Sequence, residues 1–434
     1  MSSTIRIEHL ARVEGHGGVT VMMEDGAVSD VRFDIFEGAR LVETLVRGRS
    51  YEDVSQILSR ICAICSVAHA LTSIKATERA FGVQVSPQTN LLRDLLFRGE
   101  NIESHALHLF FLALPDYLGY PSAIALARDY PDAVKMALRM KQLGNTIQEV
   151  IGGRAVHPVN AIVGGFGRVP AEDQLIALRE ALLAGIKDCR TAIDLLAALP
   201  AADYCDADTV FAALDSEGGY GYFHGDEVTI VSNGERTQIP ADQYRTFTSE
   251  RAVPHSHAKH SSFNGRPFMV GALARLTAHH NKLDASAHEV MARLGLALPS
   301  ANPMDNNKAQ AVELSADLHL ALDAVDQLLD SGIQDEAPVE VQRRAGAGTA
   351  ITEAPRGILI HSYSYDGDGK ITAADVITPT ALNAASVEDH LRCSVRQAGT
   401  SDTAELTKRL EMIVRAYDPC ISCSVHLVRR RDAE

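Results

Sequence analysis

The chain has 434 residues, 46% apolar and 22% charged, and its 41 basic against 56 acidic side chains leave a net charge of −15. That composition suits a soluble globular protein with one large core or two. It excludes the basic footprint of a nucleic-acid binder, since the one basic run, Arg429-Arg430-Arg431, is short and terminal. The N-terminus, Met1-Ser2-Ser3-Thr4-Ile5-Arg6, has no signal-peptide-type stretch, and no apolar run is long enough to span a membrane. A cytoplasmic protein is the expectation. Seven cysteines, four of them in two CxxC pairs, argue against a secreted disulfide framework and for metal or redox chemistry.

In chain order, residues 4–36 alternate as strands, with Glu24-Asp25-Gly26 as a turn. Between the first two strands, Arg12-Val13-Glu14-Gly15-His16-Gly17-Gly18 holds three glycines in four residues, which suggests backbone that bends or passes close to something. Helical spacing starts near Ala39, and Ser50 with Asp53 resembles a capping box for a short helix leading to Cys62. A helix from Ser66 to Phe81 should stop at Gly82. Another should start at Ser86-Pro87 and reach about Ala113. Long helices are predicted near 131–151, 170–197, 271–295 and 307–331, enough for a helix bundle. Residues 217–265 read as a small β excursion with Asn233-Gly234 as a hairpin turn. A second hairpin is predicted over 358–363 and 370–377. Ser386 with Asp389 is read as the start of a late helix, and a last one covers about 402–416.

The cysteine pairs carry the chemistry. Cys62 and Cys65 stand near the start, Cys420 and Cys423 near the end. Jointly they offer four soft ligands, suited to zinc, iron–sulfur or late transition metals. A structural zinc site draws its pairs from nearby sequence, so pairs separated by nearly the whole chain point to a buried site in a large core. Cys189, Cys205 and Cys393 read as ordinary thiols. Asp366-Gly367-Asp368-Gly369-Lys370 resembles the start of a calcium loop, but Ile377 stands where the bidentate Glu is needed, so a β-turn is expected. His255, His257 and His260 could bind metal, though a polar loop is the expected reading. No GxGxxG follows a strand and there is no P-loop, so the chain itself should bind no nucleotide.

Five motifs in order resemble the large, catalytic subunit of nickel–iron hydrogenases: Arg12-Val13-Glu14-Gly15-His16; Arg60-Ile61-Cys62-Ala63-Ile64-Cys65 with His69; Gly152-Gly153-Arg154 with His157-Pro158; Glu353-Ala354-Pro355-Arg356-Gly357; and Asp418-Pro419-Cys420-Ile421-Ser422-Cys423 with His426. The ending looks most like the cytoplasmic, NAD(P)-linked bidirectional group of the sulfhydrogenase type. The resemblance implies that Cys62 and Cys420 are terminal thiolates on nickel, while Cys65 and Cys423 bridge nickel to an iron bearing carbonyl and cyanide ligands. It implies Glu14 as the first proton acceptor beyond Cys420, and a magnesium ion held by Glu43, His426 and the Val376 carbonyl. Arg356, after Pro355, would bond one cyanide; Thr380, after Pro379, the other. His69 would support a bridging thiolate. Ala63 in place of Gly, and Thr380-Ala381-Leu382-Asn383 in place of a Thr-Thr-Trp-Asn segment, are departures that remove no ligand.

The expected fold is α+β, a long-helix bundle with small peripheral sheets and hairpins, in which the two CxxC motifs meet at a buried metal site. Residues 1–426 would form one catalytic domain and 427–434 an extension removed by a maturation endopeptidase. The expected reaction is H2 ⇌ 2H+ + 2e−. The three remaining cysteines are too few to hold an iron–sulfur cluster, so a small subunit carrying clusters is required, with NAD(P) on further diaphorase-type subunits. The alternatives are a methylviologen- or deazaflavin-linked hydrogenase, a respiratory-complex relative that has lost its metals, and a structural zinc protein.

Overall fold

Ser86 and Pro87 start the central helix as the sequence predicts. The Ser86 hydroxyl accepts the Thr89 amide at 3.0 Å, and Pro87 occupies the first turn, where its missing N–H costs nothing. This helix, Pro87–Leu107, packs against Pro131–Gly152 and Asp305–Ser331, and Glu172–Ala197 packs on those two, forming the bundle at the centre of the α+β fold. The structure, a computed structural model, describes residues 2–25, 27–38, 41–398 and 402–425. Two helices of the bundle nearly touch at Gly144, where a methyl group would sit 2.5 Å from the Gly99 carbonyl. Only glycine permits that approach.

Small sheets surround the bundle. Strands Ser2–Ile7, Gly17–Glu24 and Ala27–Ile35 form an antiparallel meander. Strands Gly346–Ala354, Gly357–Tyr365 and Ile371–Ile377 form a second, whose first two strands pack on the Ser66–Phe81 helix. A four-stranded sheet contains the predicted hairpin at Asn233-Gly234, and Asp366–Lys370 is a turn, as expected. Among the described residues no single helix is long and apolar enough to cross a membrane. One bent pair, Pro87–Leu118 with Ala123–Asp129, passes on length and composition, but Pro87–Leu107 is the bundle's core helix.

Several elements differ from the sequence reading. The stretch 271–295 is two helices, Ala272–His279 and Ala285–Arg293. Asp284 separates them by capping the second through the Ala287 amide at 2.9 Å. The late helix begins at Pro379 rather than Ser386; the Ser386 hydroxyl bonds the Tyr417 hydroxyl at 2.9 Å instead of capping a backbone. The helix from Pro87 changes to a π-helical turn over His108–Ala113. The first short helix is Val42–Val46, while Ala39 lies outside the described residues. The strand Gly346–Ala354 was not foreseen, because Gly-Ala-Gly-Thr-Ala has weak strand propensity and is extended by its neighbours.

Candidate metal centre

Each cysteine pair is presented by a turn that the surrounding chain fixes. The helix Tyr51–Leu58 ends in one 3-10 turn, after which Cys62 is extended and Cys65 opens the Ser66–Phe81 helix. No side chain of Cys65 caps that helix. Buried Glu100 does so from the central helix, accepting the Val67 amide at 2.6 Å and the Ala68 amide at 3.0 Å. Burial raises the Glu100 pKa well above the usual carboxylate range, against the pull of those amides. From the outer side the loop after Gly153 locks the same turn: the His157 amide donates to the Ser66 hydroxyl, and the His157 Nδ1 lies 3.0 Å from the Ser59 carbonyl.

The C-terminal pair is held by the N-terminal loop. Glu14 and Cys420 form an isolated parallel bridge, and the Ile421 amide donates to the Glu14 carbonyl at 2.9 Å. Gly15 lies at φ +85°, and a methyl there would stand 2.7 Å from the Ser422 amide nitrogen. This is the close approach the three glycines suggested. Asp116 ties the loop to the last long helix, binding Arg12 on one side and Arg415 at 2.6 and 3.0 Å on the other. The Cys420 amide donates to Thr380 Oγ1 at 2.9 Å.

These supports bring the four sulfurs together. Cys62 Sγ lies 3.4 Å from Cys420 Sγ, and Cys65 Sγ 3.9 Å from Cys423 Sγ. All four atoms fall within 4.8 Å of one another, and all four residues are buried. Cys420 and Cys423 are paired as a disulfide; reduced, they complete a four-thiolate set. Burial raises the Cys62 pKa, but hydrogen bonding from Cys65 and the Arg356 charge outweigh it and lower the value.

Arg356 sits in the two-residue turn Pro355-Arg356 between paired Ala354 and Gly357. Its Nη2 donates to Asp418 at 3.0 Å, both groups buried. Its Nε and Nη1 are buried without a partner. A buried guanidinium with two orphan donors beside four thiols fits a metal centre whose small ligands accept hydrogen bonds. Burial works against this charge, yet Asp418 and the thiolates of Cys65 and Cys62 raise its pKa.

The remaining predicted residues fall nearby. Glu14 Oε2 is 3.2 Å from Cys420 Sγ and accepts the Ser422 amide at 3.1 Å; its other oxygen accepts the Ser422 hydroxyl. Glu43 meets the Val376 amide at 3.0 Å. His69 pairs through Nδ1 with His361 Nε2 at 3.2 Å, and burial lowers its pKa to about 3, so the ring is neutral. Pro379 starts the helix that presents Thr380, and the Pro355 carbonyl accepts Arg275 at 2.9 Å. His426 lies outside the described residues. Sequence reasoning missed Glu100, His361 and the Asp418 partner of Arg356; only Asp418 had a signal, its place inside the last motif.

The Nickel-dependent hydrogenase family matches residues 40–143 and 212–426, and the HoxL-like family matches residues 4–37. The chain belongs to the nickel-dependent hydrogenase large-subunit family. It is 39% identical over 426 residues to sulfhydrogenase 1 subunit alpha of Pyrococcus furiosus and 40% identical to sulfhydrogenase 2 subunit alpha of the same organism. Those alignments cover 98% of this chain and 98% and 99% of the relatives. The fold matches that of an NAD+-reducing [NiFe]-hydrogenase in the H2-reduced state, with TM-score 0.87 and 27% identity, over 98% of this chain and 99% of that one. Membership of this family implies nickel and iron at the cluster of Cys62, Cys65, Cys420 and Cys423, and the four retained thiols argue against the metal-free alternative.

Proposed function

We propose that this hydrogenase subunit catalyses H2 ⇌ 2H+ + 2e−, with the convergence of four buried cysteines under Arg356 and beside Glu14 as the observation that carries the assignment. Cys62 and Cys420 would hold nickel terminally, and Cys65 and Cys423 would bridge it to iron carrying carbonyl and cyanide. That centre supplies heterolytic H2 cleavage and takes up the electron pair. Glu14 receives a proton from the Cys420 sulfur, 3.2 Å away, while the Ser422 amide and hydroxyl donate to its carboxylate and hold it in place. The unpartnered Nε and Nη1 of Arg356 supply N–H donors to one cyanide, and Thr380 to the other. His69 holds the Cys65 side of the centre in place. Glu43, His426 and the Val376 carbonyl would hold a magnesium ion.

Residues 1–426 act as one catalytic domain in the cytoplasm, with 427–434 removed on maturation. Among the described residues no second cysteine cluster exists to carry electrons onward, so a small subunit with iron–sulfur clusters receives them. Diaphorase-type partners and NAD(P) as acceptor complete this reading; the relatives' naming as alpha subunits supports further subunits, and the NAD+-reducing fold neighbour supports the acceptor. Infrared spectroscopy and metal analysis of the purified complex test the centre: carbonyl and cyanide bands with nickel are expected, and zinc alone without such bands overturns it. Hydrogen-driven reduction of methyl viologen but of neither NAD nor NADP would remove the acceptor while leaving the hydrogenase.

A further inference from the structure

Away from the cysteines, the hairpin Arg251–Val253 with Ser256–His260 packs on the strand Ala27–Ile35 and the helix Pro379–Gln397. That packing brings His255 and His260 to Glu388 of the helix. Their ligand atoms lie within 4.8 Å of one another, and the third histidine of the loop, His257, points elsewhere, to the Glu37 carbonyl at 2.8 Å. His260 is buried and its Nε2 has no hydrogen-bond partner. A buried imidazole nitrogen left bare costs free energy unless something completes it.

We propose that His255, His260 and Glu388 form a second metal site, for a divalent cation of the zinc class, with water in the remaining position. Two histidines and one carboxylate are a donor set that zinc takes with one position open. The separation of His260 Nε2 from Glu388 Oε1, 3.8 Å, is close to the about 3.4 Å between two ligands of one tetrahedral zinc. Without a cation, His255 Nε2 lies 2.7 Å from Glu388 Oε1, which also accepts the Phe33 amide at 2.9 Å. Metal binding replaces the histidine contact and leaves the amide in place, because a carboxylate has about four acceptor positions. His255 also lines a surface cleft of ≈ 600 Å³ with Thr20, Arg32 and Asp34, so water can reach the open position.

Such a site would tie the hairpin to the helix Pro379–Gln397. Ala258, between the two histidines, forms an antiparallel bridge with Val425, two residues beyond Cys423. A cation there fixes the hairpin against which the end of the C-terminal motif lies.

The nickel-loaded complex is treated with a mild chelator, reloaded with Zn2+, and compared with His260→Ala, Glu388→Gln and His257→Ala forms. About one zinc per chain is expected in the wild type, with a zinc-dependent rise in the thermal midpoint. His257→Ala should keep both, and the other two variants should lose both; equal zinc in all four overturns the proposal. Zinc-edge X-ray absorption of the wild type keeps the test independent of how the variants fold. A nitrogen and oxygen shell with two imidazoles supports the site, and a shell containing sulfur, or no retained zinc, refutes it.

Discussion

Glu14 and Cys420, 406 residues apart, meet twice, through a backbone bridge and through a carboxylate oxygen 3.2 Å from the sulfur. The backbone contact holds the side-chain contact, so the carboxylate can be altered without moving the loop. Glu14→Gln keeps the shape and removes the ionisable group. Metal content and infrared bands should stay normal while H2/D2 exchange falls about 10²–10⁴-fold. Normal exchange in a variant with intact bands would remove Glu14 from the proton path.

Gly15→Ala tests the backbone contact. At φ +85° and with Ser422 in the way, the added methyl should cost about 1–3 kcal/mol. The N-terminal loop should lift from Cys420-Ile421-Ser422, lowering both the thermal midpoint and nickel retention. Unchanged nickel content at an unchanged midpoint contradicts the proposed clasp.

His390 gives a pH dependence. Its ring is buried between Thr209 and the Tyr417 hydroxyl, and burial lowers its pKa from 6.5 to about 4. A histidine lowered on folding leaves stability intact above 6.5 and removes it as pH falls from 6.5 toward about 4, because the unfolded chain takes the proton first. The loss over that window is about 3 kcal/mol. Denaturant unfolding at pH 7 and pH 5 should show a smaller difference in His390→Gln than in the wild type. An equal difference in both assigns the acid sensitivity elsewhere.

Residues 427–434 yield to intact-mass spectrometry. Val425 is already buried, and the three arginines that follow each need water or a partner charge if the segment is drawn inward. Active complex should therefore contain a subunit ending at His426. Full activity with all 434 residues present refutes removal of the extension and leaves the cysteine ligands untouched.

The site was more legible in the sequence than the fold. Cys62, Cys65, Cys420 and Cys423 announce themselves by spacing, and Glu14 and Arg356 lie in motifs with them. Helices with a cap or a stop, such as Pro87–Leu107 after Ser86 and Ser66–Phe81 before Gly82, were equally clear. Elements set by distant partners were not. Ser386 resembles a cap until Tyr417 takes its hydroxyl, and Gly346–Ala354 becomes a strand because Gly357–Tyr365 and a helix lie against it. Glu100 is read as one more polar residue on a helix, since the amides that it binds belong to another element.

The separation of 358 positions from Cys62 to Cys420 also imposes an order on synthesis. At roughly 5–20 residues per second, the first thiol pair waits roughly 20–70 s for the second to be made. Until then the nascent chain can offer a metal only two sulfurs. A chain cut short between Ser331 and Cys420 contains all four bundle helices yet lacks half of the thiols. A complete thiol set thereby reports that synthesis has passed Cys423, and a metal held by all four would tie two distant parts of the chain into one closed loop.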